Sequence, residues 1–360
     1  MAGLTPLERS TLILIAVLAA LAGVADYRSW PAIPRFALAT FALAGLAWVV
    51  SFATGHLGER FGPGVTGMLQ STIGNLPELF VVIFALQKGE LVVAQTAIVG
   101  SVFANALLVL GLVLVIGARR APDRVMRFSK RLPRDTGTLL QVTVFIIVLL
   151  GLSLAAHDPA SHHVKAISAV GAICLLVVYL AWVVPYLRSD TPPDRGEEGQ
   201  HSAGAGARRL SLRLTLALLL LAGTASAFVS DWFINALAPA IAQLHVSQAF
   251  AGLVIVAIAG NAVENTAGLV LASKGRSDLA IAVVKNSVAQ IAAFLFPLLV
   301  LISFALATTL TFALAPVYIG ALALTALAIW QVTGDGEAVE FEGWALVALY
   351  VILATLTLYE

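Results

Sequence analysis

The sequence predicts an all-α polytopic membrane protein of about eleven transmembrane helices, arranged as one leading helix followed by two inverted five-helix repeats. Of its 360 residues, 60% are hydrophobic and 11% are charged, whereas a soluble domain has about 45–50% and about 25%. The apolar residues form runs of about 20, the length that crosses a bilayer, and they do not alternate with polar residues as barrel strands do. The third observation is an internal repeat.

Eleven apolar runs are predicted to span the membrane, near residues 10–27, 35–55, 63–87, 91–117, 138–156, 164–187, 210–230, 247–273, 277–304, 308–331 and 342–358. The first run also fits a signal peptide, because Glu8 and Arg9 precede a short apolar stretch. We interpret it as a retained helix, since the stretch as far as Tyr27 is nearly long enough to span and its cleavage signal is poor.

The positively charged loops predict the orientation. The loop at 118–135 is the most basic, and the segment at 187–210 is rich in proline, glycine and charge. These two segments flank the fifth and sixth spans, so both are predicted to be cytoplasmic, with the N-terminus inside and the C-terminus outside. The predicted divisions are a leading helix in 1–34, a first repeat in 35–187, a charged cytoplasmic linker in 188–209 and a second repeat in 210–360.

Residues 74–105 and 260–290 are two copies of one pattern. Equivalent positions are 186 residues apart without a gap: Gly74 and Gly260, Asn75 and Asn261, Glu78 and Glu264, Lys88 and Lys274, Gly89 and Gly275, Ser101 and Ser287. The glutamates lie on the third and eighth spans, so equivalent positions are five spans apart, and an odd separation requires the copies to enter the membrane from opposite sides. Inverted repeats are typical of secondary transporters, whose substrate sites lie near the bilayer midplane.

Two glutamates at equivalent positions are the strongest indication of a site, because a carboxylate inside the membrane is costly unless it faces a cavity or a partner. Each shares a helix face with an asparagine three residues earlier. The other polar residues predicted around them are Ser101, Asn105, Asn286, Ser287 and Gln290, and the predicted helix breaks are at Gly74, Pro77 and Gly260. Alternatively, the glutamates are structural hydrogen-bonding groups, and the small polar residues only join helices.

Carboxylates, amide oxygens, hydroxyls and freed carbonyls form an oxygen-only ligand set, which suits Ca²⁺ better than a soft metal. Two carboxylates that repel each other also take up protons readily when the cation leaves. Cation and proton would then compete for Glu78 and Glu264, which is sufficient for exchange. No resident cofactor is predicted, since Ca²⁺ and H⁺ are the transported substrates.

The two signatures resemble those of the cation/proton exchangers, the calcium/proton antiporters of the calcium/cation antiporter superfamily. The first copy carries Gly-Asn-x-x-Glu at 74–78, then Gly100, Ser101 and Asn105. The resemblance extends over the whole chain and implies that Glu78 and Glu264 are the central Ca²⁺ ligands and proton carriers. It further implies that Asn75, Asn261, Ser101, Ser287 and Gln290 surround them.

The second copy departs from this family at three positions. Asn265 stands where the family commonly has histidine, Asn286 where it usually has glycine, and Lys285 where an apolar residue is usual. Lys285 either turns away from the site, pairing with a loop acid or snorkelling, or enters the cavity and replaces part of the cation charge when the site is empty. In the second case it would modulate selectivity or stoichiometry.

Other classes of function fit the sequence less well than antiport. A sodium-coupled exchanger (Na⁺/Ca²⁺ or Na⁺/H⁺) could use the same site, and the proline before Glu78 is reminiscent of sodium/calcium exchangers. An intramembrane enzyme is disfavoured, because there is no HExxH motif and inverted symmetry has no purpose in an enzyme; an ATP-driven pump is disfavoured by the lack of a Walker A motif. The sequence therefore predicts a transporter and not an enzyme.

The remaining features are weak. The acidic stretch at 333–343 is either a solvated loop or a cation-recruiting one, His162-His163 is a poor metal pair, and Cys174 is predicted to face lipid or a neighbouring helix. The predicted partners are Ca²⁺, H⁺ and the bilayer, with no nucleic acid and with the oligomeric state left open. The compact loops and the lack of an organelle address favour a prokaryotic plasma membrane.

Overall fold

A computed structural model describes residues 4–58, 74–129, 131–188 and 210–360. Within these ranges the side chains at 55, 57–58, 131–134, 186–188 and 263–264 lie outside the description. The helices are α1 (Pro6–Tyr27), α2 (Ala32–Gly58), α3 (Leu76–Gln87), α4 (Leu91–Arg120), α5 (Arg131–Ala155), α6 (Val164–Arg188), α7 (Leu212–Leu244), α8a (Gln248–Gly260), α8b (Ala262–Ser273), α9 (Ser277–Ser303), α10 (Pro316–Thr333) and α11 (Glu340–Leu358).

The predicted helical membrane fold is confirmed. In the described part of the chain, nine helices are long and apolar enough to cross a bilayer, and the bent pair α8a and α8b provides a tenth span. Helix α3 is apolar but short, and the rest of the predicted third span, at 63–73, lies outside the described residues. The boundaries predicted for the two repeats and the linker stay predictions.

Two predicted spans have the wrong limits. The span predicted to end at 230 continues as helix α7 to Leu244, so the polar group at Asp231 does not terminate the helix and instead binds Lys88. Helix α10 was predicted to begin at 308 but begins at Pro316. Proline suits the first turn of a helix, where its missing N–H is not needed, and the apolar residues before it are not helical.

The internal repeat is present in the backbone as well as in the sequence. Helices α3 and α8b have bounds that are 186 residues apart at both ends, and the turns that follow them contain Gly89 and Gly275 with φ of 81° and 73°. Each following span then contains a π-helical turn, Ala104–Val109 in α4 and Ile291–Leu295 in α9. The two halves therefore share local irregularities that hydropathy alone does not reveal.

Helices α4 and α9 form the centre of the molecule, and α1 lies at its edge. In the most apolar window of each span, 89% of α4 and 72% of α9 are buried, against 17% of α1. The inner helices are thus largely enclosed by protein, while the outer ones expose apolar side chains, as expected when a membrane protein has a polar site at its centre.

A short β-ribbon marks one face of the molecule, which we call the ribbon face. Strand β1 (Val125–Arg127) pairs antiparallel with β2 (Glu337–Val339), with Met126 opposite Ala338. The acidic stretch predicted as a loop therefore contributes a strand, which its sequence does not signal because only three residues pair. Arg127 donates a hydrogen bond of 2.6 Å to Asp123, which lowers the pKa of that carboxyl below its usual value.

The turns that follow α3 and α8b lie on opposite faces, as predicted. Asp278, just after the second turn, accepts a hydrogen bond of 2.6 Å from the backbone N–H of Ser129, beside the ribbon. Glu90, just after the first turn, accepts one of 3.0 Å from Gln248 at the start of α8a. Because α4 runs from the first turn to the ribbon, these contacts lie at its two ends, and the face opposite the ribbon is called the Lys88 face below.

Candidate ion-binding site

Both glutamates lie in the first turn of a helix that begins inside the protein. Helix α3 begins after Asn75 (φ −81°, ψ 4°), and α8b begins after Asn261 (φ −104°, ψ 14°). Glu78 is the third residue of α3 and is 1% exposed. Glu264 holds the equivalent place in the backbone of α8b, although its side chain lies outside the description. The two acids thus occupy matching helix starts, the arrangement that discontinuous transporter helices use at their substrate sites.

Helix α8 is broken at the site. The segments α8a and α8b meet at Asn261 with a bend of 58°, directly after Gly260, which was predicted as a break. A Cβ built on Gly260 would lie 3.7 Å from the Cβ of Glu78, so the break in the second repeat adjoins the acid of the first. Gly74 and Pro77 occupy the corresponding positions at the start of α3.

Hydrogen bonds join the two repeats at this point. The Nδ2 of Asn261 donates to the Oγ of Ser101 at 2.9 Å and to the carbonyl oxygen of Ala257 at 2.9 Å. The Nδ2 of Asn105 donates to the carbonyl oxygen of Ser101 at 3.0 Å. A backbone carbonyl can only accept, so each amide must direct its NH₂ group toward it. The amide oxygens of Asn105 and Asn261 are therefore left for another group.

Six buried amide oxygens share this property. No donor among the described residues binds the amide oxygens of Asn75, Asn105, Asn261, Asn265, Asn286 and Gln290. A buried acceptor without a donor costs about 1–3 kcal/mol, and most buried polar groups in proteins are satisfied. Acceptors of this kind on or beside the helices that carry the predicted site, together with the buried Glu78, have the chemistry of a hard cation site.

Asn265 is the member of this group that the predicted site did not include. In the sequence, Asn265 stands out only as a departure from a family pattern. Its counterpart in the first repeat is Leu79, so the repeat does not indicate a site residue at this position. Its position four residues after Asn261 provided a weak signal, since residues so spaced share a helix face. On the same face, a Cβ at Gly268 would lie 2.9 Å from Val284 of α9, so this side of α8b faces the interior.

Close backbone contact fixes the position of Ser101. A Cβ on Gly100 would lie 2.5 Å from the Cα and 2.6 Å from the carbonyl oxygen of Leu253 in α8a, and a Cβ on Gly252 would lie 2.0 Å from the Oγ1 of Thr96. Helices α4 and α8a therefore cross with their backbones in contact, which only glycine permits. This crossing brings Ser101 within hydrogen-bonding distance of Asn261.

Asn105 and Gln290 lie where the π-helical turns begin. Asn105 is inside the turn of α4, and Gln290 directly precedes the turn of α9. A π-turn displaces a carbonyl from the regular helical ladder, and such turns are frequent at functional sites. In α9 the Oγ1 of Thr143 in α5 donates to the carbonyl oxygen of Ala292 at 3.2 Å, so the displaced backbone is bound by a neighbouring helix.

Lys285 is buried but is directed toward α10. It is 2% exposed, and its Nζ donates to the Oγ1 of Thr333 at 3.0 Å. That hydroxyl in turn donates to the carbonyl oxygen of Ile329 at 2.7 Å. The observed partner is thus a hydroxyl and not a loop acid, and the ammonium does not snorkel to the surface. Ser287 is also fully buried on the same helix.

The weaker predicted features lie apart from this cluster. His162 and His163 are exposed in a short 3₁₀ turn, and Cys174 is exposed on α6. Among the described residues, no three His, Cys, Asp or Glu side chains are grouped so as to hold a metal ion. The described ligand set is therefore dominated by amide oxygens. The predicted role of each residue in binding a cation stays a prediction.

An all-helical membrane protein with two inverted repeats and a polar centre belongs to the class of secondary transporters. The sodium/calcium exchanger protein family matches residues 32–186 and 214–359 of this chain. The chain therefore belongs to the sodium/calcium exchanger protein family.

Relatives within this class have been named for the ions they carry. The vacuolar calcium ion transporter of Schizosaccharomyces pombe is 29% identical over 344 residues, which cover 93% of this chain and 82% of the relative. The Ca²⁺/H⁺ antiporter ChaA of Bacillus subtilis is 26% identical over 97% of this chain and 98% of its own length. The structure of native YfkE superposes with a TM-score of 0.80 at 26% identity, covering 97% of this chain and all of YfkE.

Proposed function

We propose that this protein is a secondary antiporter that exchanges Ca²⁺ for H⁺ across a membrane. The observation that carries the proposal is the buried Glu78 against the break in α8, where the two inverted repeats meet, together with the buried amide oxygens on the helices of both repeats that have no donor among the described residues. The identity of the ions is supported by the relatives, several of which are named Ca²⁺/H⁺ antiporters. On this proposal the protein is a transporter and not an enzyme, and it needs no resident cofactor.

Glu78 and Glu264 are proposed to bind Ca²⁺ and H⁺ in turn. The cation requires both carboxylates ionised, and its departure leaves two negative charges in a site of low dielectric constant, which favours protonation. The amide oxygens of Asn75, Asn105 and Asn261 supply neutral ligands, which suit the six to eight oxygens that Ca²⁺ takes. Further proposed ligands are Ser101, Asn286, Ser287 and Gln290, and Gly74, Pro77 and Gly260 allow the helices to break beside them.

Alternating access follows from the inverted repeats. If each repeat adopts the conformation of the other, the site closes on one face and opens on the other. The bend in α8 and the start of α3 put helix ends at the site, where small movements change which face the acids contact. The proposed location is a prokaryotic plasma membrane, with the N-terminus and the ribbon face in the cytoplasm, because the basic loop at 118–135 lies on that face.

Lys285 is proposed to modulate the site through its charge. It precedes two proposed ligands on α9, so its ammonium lies within about 12 Å of the Cα of Ser287 by helix and side-chain dimensions. A positive charge in the low-dielectric interior acts over such distances. When protonated, Lys285 opposes cation binding without being a ligand.

The proposal is tested by ⁴⁵Ca²⁺ flux in proteoliposomes under an imposed pH gradient. Glu78→Gln and Glu264→Gln should each abolish proton-driven uptake, because neutral amides cannot carry protons. Glu337→Gln on the exposed ribbon should retain it, since Glu337 lies outside the membrane. Flux that ignores the pH gradient and follows Na⁺ would establish the sodium-coupled alternative. Intact flux in both glutamate variants would refute the proposed site.

A further inference from the structure

The Lys88 face carries a polar cluster that lies outside the ion site. The Nζ of Lys88 donates to the Oδ1 of Asp231 at 2.5 Å, to the Oδ1 of Asn235 at 2.6 Å and to the carbonyl oxygen of Asp231 at 3.3 Å. An ammonium has three N–H groups, so all three have an acceptor. The Nδ2 of Asn235 donates to the Oδ2 of Asp231 at 3.3 Å, which closes the network. We call these three residues the Lys88 lock.

The Lys88 lock joins two helices that also meet near the site. Lys88 directly follows α3, the helix in which Glu78 occupies the first turn. The partners of Lys88 lie on α7. At the other end of α3, the Oγ of Ser230 donates to the carbonyl oxygen of Pro77 at 3.4 Å. Helix α7 is therefore bound to α3 both beside the acid and at the protein surface, which closes the route between these helices on the Lys88 face.

The inverted repeat provides an internal comparison. Lys274 is the counterpart of Lys88, and it directly follows α8b at the ribbon face. The counterparts of Asp231 and Asn235, at the same 186-residue offset, are Gly45 and Val49 on α2. Gly45 and Val49 have no side-chain acceptor, and Lys274 is exposed. The same cation thus has three acceptors on one face and no equivalent acceptor side chains on the other.

We propose that the Lys88 lock biases the transport cycle toward the conformation closed on the Lys88 face, and that it opens once in each cycle. Two inverted repeats with identical interactions would make the two end states equal in energy. In the described part of the chain, the ion pair between α3 and α7 has no counterpart between the equivalent helices α8b and α2, which makes the two states unequal, and the pair must break before α7 separates from α3. This inference rests on the proposed alternating-access function but not on the identity of the transported ions.

The size of the bias follows from the exposure of the pair. The side chains of Lys88 and Asp231 are 32% and 37% exposed, and exposed pairs contribute about 0.2–1 kcal/mol. Loss of the lock should therefore raise the population open on the Lys88 face by about 1.4- to fivefold. High salt should produce part of the same change, because it screens exposed charges.

The test measures opening directly rather than transport. Ser230 is fully buried between α3 and α7, so a Ser230→Cys substitution in a Cys174→Ser background reports when these helices separate. A charged thiol reagent that cannot cross the membrane is applied to vesicles of each orientation. Lys88→Met should raise the rate of modification about 1.4- to fivefold, and only when the reagent is on the Lys88 face.

Two controls separate a lock from general destabilisation. Lys274→Met removes the equivalent lysine on the other face and should leave the rate unchanged. Exchange of the charges, with Lys88→Asp and Asp231→Lys together, should restore slow modification. An equal rise in the Lys274 variant, no rise in the Lys88 variant, or no restoration by the exchange would each overturn the proposal. If the protein shows the predicted labelling but no Ca²⁺/H⁺ exchange, the proposal of the Lys88 lock stands and the proposed identity of the transported ions is refuted.

Discussion

Replacing Gly100 with alanine tests the backbone contact that positions the ion site. The added Cβ would lie 2.5 Å from the Cα of Leu253, whereas carbon atoms in contact are about 3.5–4.0 Å apart. Helices α4 and α8a would have to separate by roughly 1 Å, and overpacking of this kind costs about 1–3 kcal/mol. The flexible end of a side chain could move aside, but a backbone atom in a helix crossing cannot.

The same displacement would break the hydrogen bond between the repeats. The Nδ2 of Asn261 is 2.9 Å from the Oγ of Ser101, and a shift of roughly 1 Å carries it beyond hydrogen-bonding distance. A misplaced Asn261 should cost about 1 kcal/mol of the free energy of Ca²⁺ binding, which corresponds to about a fivefold rise in the KM for Ca²⁺. Gly100→Ala should therefore lower thermal stability in detergent and also weaken transport.

Gly320→Ala is the matched control for this variant. Gly320 lies within α10, and a Cβ there would meet nothing within 4 Å. Alanine is a better helix former than glycine by about 1 kcal/mol in water, so this variant should be neutral or slightly more stable. The assays are the melting temperature by fluorescence-detected gel filtration and the KM from ⁴⁵Ca²⁺ flux. Equal values for the two variants would refute the close crossing and its role at the site.

Two further predictions concern groups beside the site. Lys285→Met should lower the KM for Ca²⁺ because it removes a positive charge near the proposed ligands. Thr333→Val removes only the hydroxyl that binds Lys285 and should leave the KM nearly unchanged. If Lys285→Met transports Ca²⁺ with the same KM and the same coupling as the wild type, Lys285 has no modulating role. Ser101→Ala should raise the KM for Ca²⁺ without unfolding the protein, because Asn261 keeps its hydrogen bond to the carbonyl oxygen of Ala257. A melting temperature that falls as far as that of Gly100→Ala would instead show that Ser101 has a purely structural role.

Much of the fold could be predicted because it depends on local and repeated features. Apolar runs of membrane length define most helices, and the odd separation of five spans between Glu78 and Glu264 predicts the inverted arrangement. The same separation predicts that the turns at Gly89 and Gly275 lie on opposite faces, which the structure confirms. These features need no knowledge of which helices pack together.

The features that were missed depend on contacts between distant residues. Asp231 directly follows a predicted span, but α7 continues past it, and its carboxylate binds Lys88, which is far away in sequence. Strand β2 is three residues long and exists only through pairing with β1. Asn265 has no polar counterpart in the first repeat, so neither symmetry nor hydropathy indicated that its oxygen would be buried without a donor. Sequence patterns report propensities, and these features are consequences of packing.

The contacts of α4 indicate that the moving parts of this molecule do not coincide with its two sequence repeats. Gly100 contacts the backbone of α8a, and a Cβ on Gly111 of the same helix would lie 2.6 Å from the carbonyl oxygen of Gly343 in α11. The β-ribbon further joins the loop after α4 to the loop before α11. A helix from the first repeat is thereby fixed to helices from the second. The parts of the protein that separate during transport must therefore meet along a boundary other than the division between the two sequence repeats. Helix α7, which is held to α3 by exposed polar contacts, lies on this boundary.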